Sequence, residues 1–317
     1  MTGLKTWAVR YGGLAVLAVI IAVLPGFLRN AYTYDIAINA GFNAIVCVGL
    51  NLLVGYAGQI SLGHAAFLGL GAYASGILTT RYGWSPLMAL AAGAVGVGAL
   101  AYALAKPVLR LKGHFLAMAT LGIGIIIAIV LNTESWLTGG SDGLVVGDFE
   151  LAGWVLSGEK PWYWVVGGLL LLSVWATRNL IDSPIGRALR ALHGSEVGAE
   201  VAGIDTARYK VLVFVLSAVM AAVVGSLFAH YANMITPSKA GFMKSIELVT
   251  MVVFGGMAST FGAVFGAAVL TVLPQVLTAF EDYETMVLGA IMMGTMIFMP
   301  RGLLVTVADA VRGRRQP

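Results

Sequence analysis

Charge is scarce in this sequence. Of 317 residues, 11% are Asp, Glu, Lys or Arg, against roughly 25% in an average soluble domain. Cysteine is nearly missing. Cys47 stands alone, so no intrachain disulfide exists and a disulfide-built scaffold is excluded. In its apolar stretch Cys47 reads as a small buried hydrophobe. The four histidines show no i, i+4 pair, so a metal site has no support. The dipeptide Gly-Lys does not occur, which excludes the phosphate loop G-x-x-x-x-G-K-[ST]. H-E-x-x-H is missing too. What is abundant is apolar surface: 59% hydrophobic residues and a mean hydropathy of +0.90. A soluble fold of this size would have no water-compatible exterior, so the composition specifies an integral membrane protein.

Charge-free runs mark the spans. Residues 12–28, 36–80, 82–105, 113–133, 161–177, 211–238, 248–280 and 285–300 contain no Asp, Glu, Lys or Arg. A crossing needs about 20 apolar residues. Segment 36–80 therefore holds two spans, Ile36–Val54 and about Ala65–Thr80. Segment 248–280 is too long for one and short for two, as a broken, re-entrant pair would be. The sum is eight crossings, or ten if 248–280 crosses twice. The first run follows Lys5 and Arg10 but lacks a small-x-small cleavage site, so it reads as an uncleaved helix. The expected fold is an all-α polytopic membrane protein with glycine-broken segments, and residues 1–317 form one membrane domain.

The pI of about 9.2 reflects sidedness and not nucleic-acid binding. With an inside N-terminus, 14 of the 19 basic residues fall in inside segments and nine of the 15 acidic ones in outside loops, as the positive-inside rule requires. Both termini are then cytoplasmic. The tail Arg312-Gly313-Arg314-Arg315 reads as an anchor near anionic membrane lipid.

Two stretches interrupt the apolar runs. Asn51 to His64 contains Gly55, Gly58 and Gly63 with Gln59, Ser61 and His64. Backbone freed from helix at membrane depth must be buried in protein or line a cavity, so this stretch is either a close-packing seam or part of the substrate path. Phe254 to Gly262 echoes it, with Ser259 and Thr260, and the two suggest an inverted repeat. Ionisable residues within spans default to functional hypotheses, and Glu247 opens an apolar run. The substrate-path candidates are thus Gln59, Ser61, His64, Glu247, Ser259 and Thr260.

The inside loop 179–208 carries two short helix signals. Ser183 caps the first and Pro184 suits its first turn. Ile185, Ala188, Leu189 and Leu192 form an i, i+3, i+4, i+7 stripe, with Arg187 and Arg190 projecting elsewhere. Ser195 caps the second, Glu196 favours its first turn and Gly203 ends it. Such helices either lie on lipid or form a docking platform for a cytoplasmic partner.

At four places the residues resemble a known family, the LivM-type permease subunits of branched-chain amino acid ABC importers. These are Asn51–His64; Leu116–Gly124 with Leu137–Leu144; Ser183–Leu192 with Glu200–Ile204 and Tyr209-Lys210; and Ser245–Leu248 with Val252–Met257. They fall within about residues 36–300. The resemblance implies an ABC importer permease fold in a bacterial inner membrane. It implies alternating access driven by ATP and Mg on two partner ATPase subunits (LivG- and LivF-like), with no cofactor on this chain. It implies a second, LivH-like permease and a periplasmic or secreted substrate-binding protein. The 179–208 loop becomes the ATPase-coupling element, with Gly186, Arg187, Ala188, Arg190, Glu200 and Gly203 as its working residues. Small Gly186 and Ala188 are expected to permit close docking. The chain departs from the family where Ile125 and Ala128 stand in place of Glu and Arg. Similar motifs occur in permeases for urea or short amides. An ion-coupled secondary transporter is the alternative of a different class.

Overall fold

The computed structural model describes residues 2–151 and 154–276, together with 289–290, 293–294, 302–303 and 306. Within them the chain is helical, as the charge-free runs require. Helix α1 (Thr2–Val23) gives way to a 3-10 turn at Leu24–Gly26, where Pro25 sits in the first turn. Helix α2 (Ala31–Asn51) begins at a capping box between Asn30 and Thr33 and runs into a π-turn, Leu52–Tyr56. After a non-helical stretch come α3 (His64–Tyr82), α4 (Pro86–Val108), α5 (His114–Thr133) and the single turn α6 (Ser135–Thr138). A short excursion holds β1 (Leu144–Val145), β2 (Phe149–Leu151) and β3 (Trp154–Leu156). Then follow α7 (Glu159–Asp182), α8 (Pro184–Gly194), α9 (Glu196–Val201), α10 (Thr206–Ala232) and β4 (Met234–Ile235). They are followed by α11 (Phe242–Gly255) and α12 (Thr260–Val276).

Five helices among the described residues are long and apolar enough to cross a membrane: Ala31–Tyr56, Pro86–Val108, His114–Thr133, Glu159–Asp182 and Thr206–Ala232. The run 36–80 divides into two helices. The run 248–280 divides into α11 and α12, a hairpin broken at 256–259. Its last four residues and most of 285–300 lie outside the described residues, and the count of eight or ten crossings rests partly on them. The four short strands were not foreseen. β1 pairs antiparallel with β4, Leu144 opposite Ile235, and β2 with β3, Phe149 opposite Leu156.

Helices α2 and α10 form the centre of the bundle. α10 packs on α3, α4 and α2, and α2 packs on α12 and α7. Glycine sets the closest approach. A Cβ at Gly225 would run into the Leu68 carbonyl, and one at Gly71 into the Ala222 backbone, so α3 and α10 touch backbone to backbone. The hairpin α11–α12 is as tight: a Cβ on Gly266 would meet the Met251 carbonyl.

The bundle has two chemically distinct ends. Tyr56 is hydrogen-bonded to Thr260 near Arg178 and Arg190, Gly58 lies against His193, and Lys112 reaches Glu196. These contacts gather the connections α2–α3, α4–α5, α7–α10 and α11–α12 at a basic end. The opposite, acidic end carries Asp35, Asp148 and Glu159.

Candidate functional site

A polar groove of about 530 Å³ opens at the acidic end between α2, α11 and α12. Its wall on α2 is a stripe at four-residue spacing, Asp35, Asn39 and Asn43, which places all three on one helix face. At 1.5 Å per residue the stripe descends about 12 Å, and Asn43 lies near the middle of the Ala31–Tyr56 run. There Asn43 Nδ2 donates to Thr271 Oγ1 of α12 at 2.9 Å. Lys244 and Glu247 of α11 face the same groove, paired at 3.0 Å. Glu247 is thus an ionisable group near half-depth with its partner one turn away, which is how a membrane interior tolerates charge.

A second cavity of about 430 Å³ shares Asp35, Asn39 and Lys239 with the first and adds Asp148, Glu159 and Trp162. Asp35 is held in place from two sides. The Tyr231 hydroxyl donates to its carboxylate at 2.5 Å, and Asn39 Nδ2 at 3.0 Å. Lys239 extends over the Phe228 ring, 5.0 Å from its centroid. Burial pushes the Lys239 ammonium below its usual pKa and Lys244 repels it further, with Glu247 and Asp35 opposing. The two cavities together present carboxylates, ammonium groups and side-chain amides beside aromatic walls.

Ser61 and His64 do not reach these cavities. The stretch 57–63 climbs from the basic end to the start of α3, and both residues are packed inside the chain, at 1% and 0% exposure. His64 Nε2 stands 2.8 Å from Ser217 Oγ and 3.2 Å from the Ser217 carbonyl oxygen. Leu62 N donates to Thr120 Oγ1, and Ala65 N donates to Ser245 Oγ, each at 3.1 Å. The first turns of α3 and α11 are thereby joined inside the bundle. Among the described residues the Ser61 hydroxyl, His64 Nδ1 and Gln59 Oε1 have no hydrogen-bond partner, while Gln59 Nε2 donates to the Ala57 carbonyl. Buried polar atoms without partners are rare in native structures.

Ser259 and Thr260 lie elsewhere, at the basic end. Ser259 Oγ accepts from Gly262 N at 3.0 Å, the ordinary arrangement of a helix N-cap. Thr260 holds Tyr56. The six path candidates therefore fall in three places: a groove, a buried junction and a hairpin tip.

The 179–208 loop differs from expectation in which way its small residues point. Gly186 and Ala188 are buried against the chain itself, and a Cβ on Gly186 would run into the Ile181 backbone. Their small size lets α8 fold back on the end of α7. What the loop turns outward is Arg187, Arg190, Glu200 and Gly203, and an apolar edge that the sequence reading missed. Val197 and Val201, one turn apart on α9, are 64% and 86% exposed. Behind that edge the loop is locked. Glu196 accepts from Lys210 at 2.6 Å and pairs with Lys112 at 3.6 Å. Burial works to raise the Glu196 carboxyl, but the two lysines outweigh it and hold its pKa below the usual value. Glu200 Oε1 accepts from Thr206 Oγ1 at 2.9 Å, tying α9 to the start of α10.

The described residues form no recognisable enzymatic site. The run Gly139–Gly143 has the spacing G-x-S-x-G, but it forms a 3-10 turn, not a strand-to-helix elbow. Its Ser141 contacts the neighbouring Asp142. Among the described residues no group of three His, Cys, Asp or Glu side chains is placed to hold a metal.

Comparison with known proteins agrees with this membrane architecture. The family described as the branched-chain amino acid transport system permease component matches residues 32–296. The high-affinity branched-chain amino acid transport system permease protein LivM of Escherichia coli K12 is 32% identical, over 91% of this chain and 74% of its own. The LivH permease protein of the same organism is 27% identical, over 82% and 90%. The ribose import permease protein RbsC of that organism is 26% identical, over 98% and 96%. No solved structure matches. With a family match across most of its length and a relative this similar, the chain belongs to the permease-component family of branched-chain amino acid transport systems.

Proposed function

We propose that this chain is the permease subunit of an ABC importer that carries branched-chain or other hydrophobic amino acids into the cytoplasm by alternating access. It works in a bacterial inner membrane as a single membrane domain, residues 1–317, with both termini and the basic end cytoplasmic. A second, LivH-like permease completes the path. Two ATPase subunits hold ATP and Mg, and a secreted or periplasmic binding protein delivers substrate to the acidic end.

The observation that carries this reading is the α8–α9 loop. A short helix with an exposed Val197–Val201 edge, flanked by Arg187 and Arg190 and braced by the Glu196–Lys210 pair, is what a motor subunit needs to grip. The edge supplies apolar area and the arginines supply orientation. The brace passes force to α10 instead of dissipating it in a soft loop.

The groove supports the substrate class. An amino acid at neutral pH carries one ammonium and one carboxylate. Asp35 and Glu247 offer partners for the first, Lys239 and Lys244 for the second. Neutral urea or a short amide needs neither. Glu247 belongs to the path in this reading. Ser61 and His64 are inside the fold, so they act on the path through the α3–α11 junction, and Gln59, Ser259 and Thr260 through the cytoplasmic gate.

The test is purification of the tagged chain from its native membrane in mild detergent, with its partners, followed by reconstitution into vesicles. ATP-dependent uptake of labelled leucine, not competed by urea, is expected. Uptake driven by an ion gradient with the chain alone would overturn the reading.

A further inference from the structure

A groove larger than the two described above lies at the basic end between α4 and α10. It measures about 1100 Å³ and is bounded below by Ile185 of α8. Its α10 wall follows one helix face: Arg208, Val211, Val215 and Val219. At the top the two helices close on each other, where a Cβ on Gly98 would stand 3.0 Å from Val219 Cγ2. From Arg208 to Val219 the groove is about 16 Å long at 1.5 Å per residue. One leaflet of a bilayer's hydrocarbon core is about 15 Å thick. The groove therefore has the length of a leaflet and an apolar lining along it.

Its mouth is cationic. Lys106, in the last turn of α4, Arg110, two residues past its end, and Arg208, in the first turn of α10, line the same cavity. Lys106 Nζ is held 4.8 Å from the Tyr102 ring centroid. Among the described residues none of the three cations forms an ion pair. The acid in this lining, Asp205, is engaged as the α10 cap, accepting from Arg208 N at 3.0 Å. Three cations at the aqueous edge of an apolar, leaflet-long groove match one kind of ligand: an anionic head on a hydrocarbon chain. The chain's own C-terminal run, Arg312-Gly313-Arg314-Arg315, carries the wrong sign to fill it.

We propose that the α4–α10 groove is a specific site for an anionic glycerophospholipid, with its phosphate among Lys106, Arg110 and Arg208 and an acyl chain along Val211, Val215 and Val219. The site does not depend on what the permease carries. It places a lipid between the α4–α5 turn and the base of α10, beside the braced loop.

The experiment uses the full chain, purified and stripped of lipid, titrated with dioleoyl phosphatidylglycerol or dioleoyl phosphatidylcholine and read by native mass spectrometry. The wild-type chain should retain the anionic lipid over the zwitterionic one by roughly tenfold. In Lys106→Gln/Arg110→Gln/Arg208→Gln the two lipids should be retained equally. In Lys106→Arg/Arg110→Lys/Arg208→Lys the preference should survive, which keeps the test meaningful if the neutral variant folds poorly. Val215→Trp, with the cations intact, should reduce retention of phosphatidylglycerol severalfold by filling the chain groove. The proposal fails if the neutralised variant keeps the preference. It fails equally if Val215→Trp retains lipid like wild type, or if glycerol phosphate displaces the lipid, which would make this an anion site and not a lipid site. Loss of the preference in Arg312→Gln/Arg314→Gln/Arg315→Gln would move the site to the tail and overturn it too.

Discussion

The Asn51 side-chain oxygen accepts the backbone N–H of Ala258 at 3.0 Å, across 207 residues of sequence. Asn51 ends α2 and is buried, and Ala258 sits at the tip of the α11–α12 hairpin with φ of 58°, in the left-handed region. That backbone conformation is unfavourable for alanine, and the hydrogen bond holds it. Replacing Asn51 with Leu removes the acceptor. The expected loss is about 1–3 kcal/mol, read as a lower thermal midpoint of the purified chain in detergent. An unchanged midpoint would mean the hairpin tip is held by packing alone.

The groove on α2 makes a second prediction. Asn43→Leu and Glu247→Gln should both lower substrate uptake by the reconstituted transporter by about tenfold to a hundredfold, the range expected for losing a charge-assisted or buried hydrogen bond. The purified variants should remain assembled. Wild-type uptake in Glu247→Gln would remove the groove from the path.

The 179–208 loop separates two roles that the sequence merges. Val201→Asp changes an exposed side chain, so folding and membrane insertion should be unaffected while transport-coupled ATP hydrolysis falls severalfold. Gly186→Val does the reverse. Its side chain meets the Ile181 backbone, so the yield of folded protein should fall, with a destabilisation of about 1–3 kcal/mol. If Gly186→Val folds normally and only uncouples, Gly186 faces the motor after all.

Acid should release the loop. The Glu196 carboxyl is held below its ordinary value of 4.5. A depressed carboxylate contributes stability above the unfolded value, and the contribution is lost as pH falls through the folded one. Amide exchange in α9 should therefore be slow at neutral pH and accelerate only below about pH 4.5. Glu196→Ala should be fast at every pH, because it strands the buried Lys210, a loss of roughly 3–5 kcal/mol by the usual cost of breaking a buried pair. Equal protection in the variant at pH 7 would show that the brace is not electrostatic.

How far these features were legible in the sequence depended on the length of the signal. Bilayer-length apolar runs are long, so α2, α3, α7 and α10 could be placed from missing charge alone, and the hairpin break from Gly255, Gly256 and Gly262. Two-residue strands such as β1 and β4 carry no period to read. The direction of a short helix is not legible. Small residues such as Gly186 and Ala188 suit any close contact, and sequence does not say which side is close. The groove was overlooked for a different reason. Asp35, Asn39 and Asn43 form a stripe visible at four-residue spacing, but a search for charge passes over asparagine. Val197 and Val201 were similarly within reach, as an i, i+4 apolar pair beside Glu196 and Glu200.

The β1–β4 pairing also decides where a load on the acidic end would go. Leu144 is bonded across to Ile235, Val146 N donates to the Asn233 carbonyl at 3.0 Å, and His230 Nδ1 lies 2.8 Å from the Gly147 carbonyl oxygen. Nine residues after Ile235 comes Lys244. In the proposed importer, a binding protein docked on the excursion between α6 and α7 would press on a lever stitched by hydrogen bonds to the α10–α11 connection. The stroke would arrive first at the top of α11, where Lys244 and Glu247 stand, so the same touch that announces a loaded carrier would also displace the charges at the floor of the groove.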